Sequence, residues 1–125
     1  MTSEKRKHIR FISKTKTYAA LGTRFPKVGK LKDISSDGLA FKYIKEIEGC
    51  VQDSSTVAIF ASKNSFILSN FACKLIYDSP LDLMNNSQHL ATKFSINRCG
   101  VQFAAINEYQ LEKLKFFIEH YTRRL

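Results

Sequence analysis

A chain of 125 residues suits one domain rather than two, and its 44% hydrophobic and 12% aromatic content supplies a core and excludes global disorder. Lys and Arg number 20 against 11 Asp and Glu, a net charge of +9, so anionic partners are expected. More than half of that excess lies in residues 1–16, where six basic residues face Glu4 alone, a net of +5.

Residues 1–12 are charge-rich and lack periodicity, which predicts a flexible basic arm that an anion would order. Tyr18–Leu21 predicts a first strand ended by Gly22. Phe25-Pro26 then starts a turn, because proline fixes its own φ and pushes the preceding residue away from helix. A strand over Val28–Ile34 leads into the polar turn Asp33-Ile34-Ser35-Ser36-Asp37-Gly38. Beyond it Leu39, Phe41 and Tyr43 alternate with Ala40 and Lys42, the period of a half-buried strand. After a polar connection over Glu46–Ser55, Val57–Ala61 predicts another strand. Ser62–Ser65 links it to a long one over Phe66–Tyr77, with a bulge or bend near Asn70.

Asp78–Ser87, with Pro80 and two Asn, predicts a loop, and Leu90–Ile96 and Cys99–Phe103 predict two further strands. The period then changes. Asn107 and Gln110 form a capping box, and Leu111, Leu114, Phe117, Ile118 and Tyr121 follow at helical spacing. This predicts a helix over 107–123, with Arg123 and Arg124 at the negative end of its dipole. The whole reads as one mainly β domain over residues 1–125. A small antiparallel β-barrel of six to seven strands, residues 15–105, carries the C-terminal α-helix across it.

Cys50, Cys73 and Cys99 are odd in number, far apart and free of C-x-x-C spacing, so reduced thiols are expected rather than disulfides or a zinc site. No apolar run reaches the roughly 18 residues of a membrane span, and the N-terminus lacks the apolar segment of a secretory signal. A cytoplasmic protein without a span is the expectation. Neither a G-x-S-x-G elbow, a P-loop nor an H-E-x-x-H pattern is present; His8, His89 and His120 are scattered, and Ser35 has no paired base. No enzymatic activity and no cofactor are expected.

Two motifs carry chemistry. Arg6 and Arg10, spaced R-x-x-x-R in the arm, each offer a planar fork of donors that fits a phosphate or the O6/N7 edge of guanine and can stack on a purine. In the D-x-S-x-x-G turn, Asp33 and Ser35 offer acceptors for the N1–H and N2–H₂ donors of guanine, and Gly38 permits positive φ and close backbone approach. The same turn is also what an Asx-turn between two strands uses.

With these motifs in this order, followed by Gly100-Val101-Gln102-Phe103 and a C-terminal helix, the chain resembles the PilZ family of bacterial cyclic di-GMP receptors over nearly its whole length. The resemblance implies that cyclic di-GMP binds at Arg6, Arg10, Asp33, Ser35 and Gly38, with the arm folding over the ligand and changing the surface offered to an unidentified protein partner. It implies that Lys5, just before the first motif arginine, influences whether one or two intercalated molecules bind. Lys74-Leu75-Ile76-Tyr77 resembles the family strand that ends in an aromatic near the ligand, so Tyr77 is a stacking candidate, with a core tyrosine as the equal alternative. The stretch over residues 78–98 exceeds the family's hairpin, an elaboration suited to a partner. Two competing readings remain: a basic barrel binding single-stranded nucleic acid, disfavoured because the aromatics fall on core faces, and a ligand-blind PilZ scaffold for protein contacts.

Overall fold

The computed structural model describes residues 9–14, 16–22, 27–46, 55–61, 66–81 and 94–125. Its elements are β1 (Phe11–Ser13), β2 (Thr17–Leu21), β3 (Lys27–Ile34), β4 (Gly38–Glu46), β5 (Thr56–Ala61), β6 (Phe66–Pro80), β7 (Phe94–Phe103), α1 (Glu108–Tyr121) and β8 (Thr122–Arg124). All strand pairings are antiparallel, in the order β2-β5-β6-β7-β4-β3-β1-β8. A further pairing of β2 with β3 closes six of them into a barrel. Closure removes the barrel's open edges. The two outlying strands, β1 and β8, form a flap against β3.

Alternation builds the core. Ala19 and Leu21 of β2, Leu39 and Phe41 of β4, Val57 and Ile59 of β5 and Cys99 and Val101 of β7 are buried, and their intervening neighbours largely face outward. Leu114 and Phe117 bring α1 onto this core, and Phe71 meets Phe103 edge-on at 5.3 Å between ring centres. The helix starts where its capping box predicts: Asn107 Oδ1 accepts the Gln110 amide at 2.8 Å, and the Asn107 amide donates to Gln110 Oε1 at 3.3 Å. Gly22 ends β2 at φ 102°, a left-handed conformation that glycine adopts without penalty.

Four local differences from the sequence reading have physical causes. Residues 11 and 12, expected in the arm, lie in β1, where Phe11 pairs with Ile34 and with Arg124. The helix stops at Tyr121: Thr122 turns extended, its hydroxyl donates to the Ile118 carbonyl, and Arg123 and Arg124 belong to β8 instead of the last helical turn. Helical periodicity runs straight through this point, and only pairing with β1 diverts the chain. Residues 78–80 continue β6, and residues 94–103 form one strand where two were expected; residues 82–93 lie outside the described residues. Finally, β6 shifts register twice. The first shift falls at Ser69–Asn70 opposite β5, near the expected bend, and the second at Ile76 opposite β7.

The second shift exchanges the faces of the strand. Before it Cys73 is buried; after it Tyr77 pairs with Gly100 on the outside, and Asp78 pairs with the buried Cys99 on the inside. There Asp78 is held by Lys27 Nζ at 2.8 Å, by the Tyr43 hydroxyl at 2.7 Å and by Asn97 Nδ2 at 2.8 Å, tying β3, β4 and β7 to β6. Burial raises the pKa of Asp78, but these three donors outweigh it and leave the carboxyl below its usual range.

Candidate functional site

The turn between β3 and β4 is held by its own polar groups. The Ser35 amide donates to the Gly38 carbonyl at 2.8 Å, the Ser35 hydroxyl donates to Asp37, and the Asp37 amide returns a bond to Ser35 Oγ at 3.2 Å. Phe103 on β7 anchors the turn by donating its amide to the Asp37 carbonyl at 2.7 Å. Ser35 is 0% exposed, so its hydroxyl is occupied in shaping the turn.

Gly38 does not take the positive φ expected of it; among the described glycines only Gly22 does. Its glycine requirement is one of close approach, to the neighbouring strand. A Cβ there would stand 2.3 Å from the Val101 carbonyl oxygen on β7. Gly100 is glycine for a related reason, since a Cβ would meet the Tyr77 ring at 2.3 Å.

Cross-strand register places four residues in one outward row: Asp33 opposite Ala40, Ala40 opposite Gly100, Gly100 opposite Tyr77. The two smallest side chains form the floor, and the carboxylate and the phenol ring form the walls. Arg10 reaches across from the arm, with Nη1 3.1 Å from Asp33 Oδ1, and Lys32 Nζ stands 3.8 Å from the other carboxylate oxygen. A cavity of about 240 Å³ opens beside this row, lined by Arg10, Asp37, Gly38, Tyr77, Gly100 and Gln102 among others. Tyr77 is 40% exposed. Its phenol pKa is raised, first by burial and then by the Asp33 charge, against the opposing pull of Arg98 and Arg10, so the ring keeps its proton.

Of the residues singled out in the sequence, Arg10, Asp33, Gly38 and Tyr77 therefore converge, and Ser35 supports them from within the turn. Arg6 and Lys5 lie outside the described residues. Sequence reasoning missed Arg98, which occupies the next outward row, opposite Lys42 and Ser79. The signal was available, because Arg98 stands two residues before Gly100 and so shares its face.

One observation ties the cluster together. Among the described residues, the buried side-chain polar atoms without a hydrogen bond are Arg10 Nη1, Asp33 Oδ1 and Arg98 Nε. Arg10 and Asp33 are close enough to attract as charges but are not aligned as donor and acceptor. Two of these atoms, Arg10 Nη1 and Asp33 Oδ1, face one another as an ion pair, and Arg98 on the adjoining row adds its field at Tyr77.

No family model matches the chain, and no curated protein matches it significantly. Among solved structures it is similar to the PilZ domain with c-di-GMP of YcgR from Escherichia coli, with a TM-score of 0.62 at 13% identity over 93% of this chain and 92% of that one. It is also similar to MrkH, described as a c-di-GMP-dependent transcription regulatory factor, with a TM-score of 0.65 at 12% identity over 94% of this chain and 51% of that one. The K. pneumonia MrkH–c-di-GMP complex gives the same TM-score and identity, again with 94% of this chain but 52% of the other covered. The chain thus spans about half the length of MrkH. Its fold is PilZ-like.

Proposed function

We propose that this PilZ-like barrel is a receptor for cyclic di-GMP and that its action is binding rather than catalysis. The three unsatisfied atoms of Arg10, Asp33 and Arg98 carry the reading, because a guanine dinucleotide supplies the complement of each. Its phosphates and its O6/N7 edges accept from the arginines, and its N1–H and N2–H₂ groups donate to the carboxylate. The Tyr77 ring offers a face for stacking beside the floor of Ala40 and Gly100. At about 240 Å³ the cavity is smaller than the roughly 300–1,000 Å³ typical of small-molecule sites, so it suits one guanine end of the ligand. The rest lies across the outer sheet, where Arg6 of the arm closes over it. Lys5, just before the first motif arginine in the sequence, would influence whether one molecule or an intercalated pair binds.

The neighbours bound to c-di-GMP support the same ligand for this chain. The rearranged arm would offer a protein partner a changed surface. Titration calorimetry with cyclic di-GMP tests the reading, with GTP and a short single-stranded oligonucleotide as controls at two salt concentrations. Saturable binding of cyclic di-GMP alone, at micromolar affinity or tighter, is expected, and the molar ratio gives the stoichiometry. Silence with cyclic di-GMP overturns it, and oligonucleotide binding with a steep salt dependence would replace it with a nucleic-acid function.

A further inference from the structure

Successive residues of an extended segment point to opposite sides, and residues 9–11 use both. Arg10 lines the cavity beside Tyr77, whereas Ile9 and Phe11 line a separate groove of about 650 Å³ between the flap and α1. Ile118 completes an apolar floor, with Phe11 and Ile118 packed against the core. Around that floor stand Lys115 from the helix and Arg123 and Arg124 from β8, all exposed, with Glu119 as the lining acid. Ser36, from the middle of the motif turn, lines the groove as well.

We infer that this groove docks an acidic, amphipathic segment of a partner protein, and that occupation of the Arg10–Asp33 site alters its affinity. Charge complementarity selects the partner: three cations against one carboxylate attract an acidic chain, and the apolar floor takes its aliphatic side chains. Single-stranded nucleic acid fits less well, since it needs flat rings for stacking and the one aromatic in the lining, Phe11, is packed against the core.

The link to the other face is covalent and short. Phe11 pairs with Ile34, the residue after Asp33, and also with Arg124. The Leu125 amide bonds the Arg10 carbonyl at 3.0 Å. A ligand that draws the Arg10 guanidinium off Asp33 pulls on the strand that positions both the floor and the basic rim. The docking surface stands independently; its control by ligand rests on the receptor reading above.

The test selects a displayed random dodecapeptide library on the full chain and measures the fluorescently labelled winners by anisotropy, with and without cyclic di-GMP. The proteins compared are the natural chain, Arg123→Glu/Arg124→Glu and, as a second variant on a different element, Lys115→Glu, each confirmed folded by circular dichroism. Winners rich in Asp and Glu around aliphatic residues are expected, bound about tenfold or more weakly by both variants. Their affinity for the natural chain should shift severalfold with cyclic di-GMP, while the variants bind the dinucleotide as the natural chain does. No winners, winners without acidic character, undiminished affinity in both variants, or a labelled oligonucleotide as the ligand lost on charge reversal would each overturn the docking surface. Peptide binding indifferent to a dinucleotide that calorimetry shows to be bound refutes the coupling alone. Peptide binding in a chain that fails to bind the dinucleotide refutes the receptor reading and leaves the docking surface in place.

Discussion

The guanidinium of Arg10 lies 3.1 Å from the carboxylate of Asp33, so the two halves of the proposed recognition pair, drawn from the arm and from the barrel, already neutralise one another. A ligand that uses either must share it or part them. Arg10→Ala should weaken cyclic di-GMP binding about 5- to 150-fold, the equivalent of roughly 1–3 kcal/mol for one bidentate contact. It also leaves Asp33, 5% exposed, with the more distant Lys32 as its one cation among the described residues, so a loss of stability of about 1–3 kcal/mol should accompany it. Arg98→Ala should weaken binding at a smaller cost in melting temperature than Arg10→Ala, since its Nε gives up no hydrogen bond and no buried carboxylate loses its partner. Calorimetric titration and thermal unfolding of both variants separate the two effects; an Arg98→Ala protein with undiminished affinity would remove that residue from the site.

The two glycines of the site should fail differently. In Gly38→Ala the new methyl meets backbone, the Val101 carbonyl, which cannot move without parting β4 from β7, so a destabilisation of about 2 kcal/mol or more is expected. In Gly100→Ala it meets the Tyr77 ring, which can swing outward. That variant should remain nearly as stable but bind the dinucleotide poorly. In a Tyr77→Ala background Gly100→Ala should cause little further loss of dinucleotide affinity, a coupling that calorimetric titrations of the cycle would measure.

Asp78 should make the fold acid-sensitive. Its folded pKa is lowered, so the stabilisation it provides is fully present above its unfolded value of about 4 and is lost as pH falls through the folded value. Asp78→Asn removes the charge that balances Lys27 and should cost about 1–3 kcal/mol at pH 7 while flattening the dependence below pH about 4. Urea unfolding at pH 7 and pH 3 checks this; equal pH slopes in both proteins would contradict it.

Cys99 should be chemically silent in the folded protein. It is wholly buried, and burial, reinforced by the nearby Asp78 charge, pushes its thiol up to about 12. Iodoacetamide at pH 8 followed by peptide mass mapping should leave Cys99 unmodified in native buffer and label it in urea. Labelling at comparable rates in both would show that the barrel opens at β7.

The barrel was legible because its strands obey a period of two: Leu39, Phe41 and Tyr43, or Val57 and Ile59, declare a face without reference to anything distant. The capping box at Asn107 was legible for the same reason, being a contact within four residues. What escaped depends on partners far along the chain. Nothing near Thr122 announces β8, which exists only because β1 lies alongside. Nothing around Ile76 announces a shift of register that is defined by β7. Reading Asp78 as the start of a loop followed directly, since its three donors, Lys27, Tyr43 and Asn97, come from three other strands. At the candidate site the motif residues identified the neighbourhood, whereas the role of Gly38 required knowing how near Val101 passes.

Beyond the extra residue at Ile76, one register with β7 answers for two tasks. It turns the tyrosine toward the outer face and, in the next position, the aspartate toward the interior fastening. A one-residue slip of β6 against β7 would interchange them, hiding the ring and exposing the carboxylate. If the outer face takes a nucleotide as proposed, a lineage could therefore not slide the aromatic wall along the strand to suit another without unfastening the barrel. New ligand preferences in such a chain are confined to substitutions in place, at the arm, the turn and the two-residue floor, while the strand's spacing stays fixed.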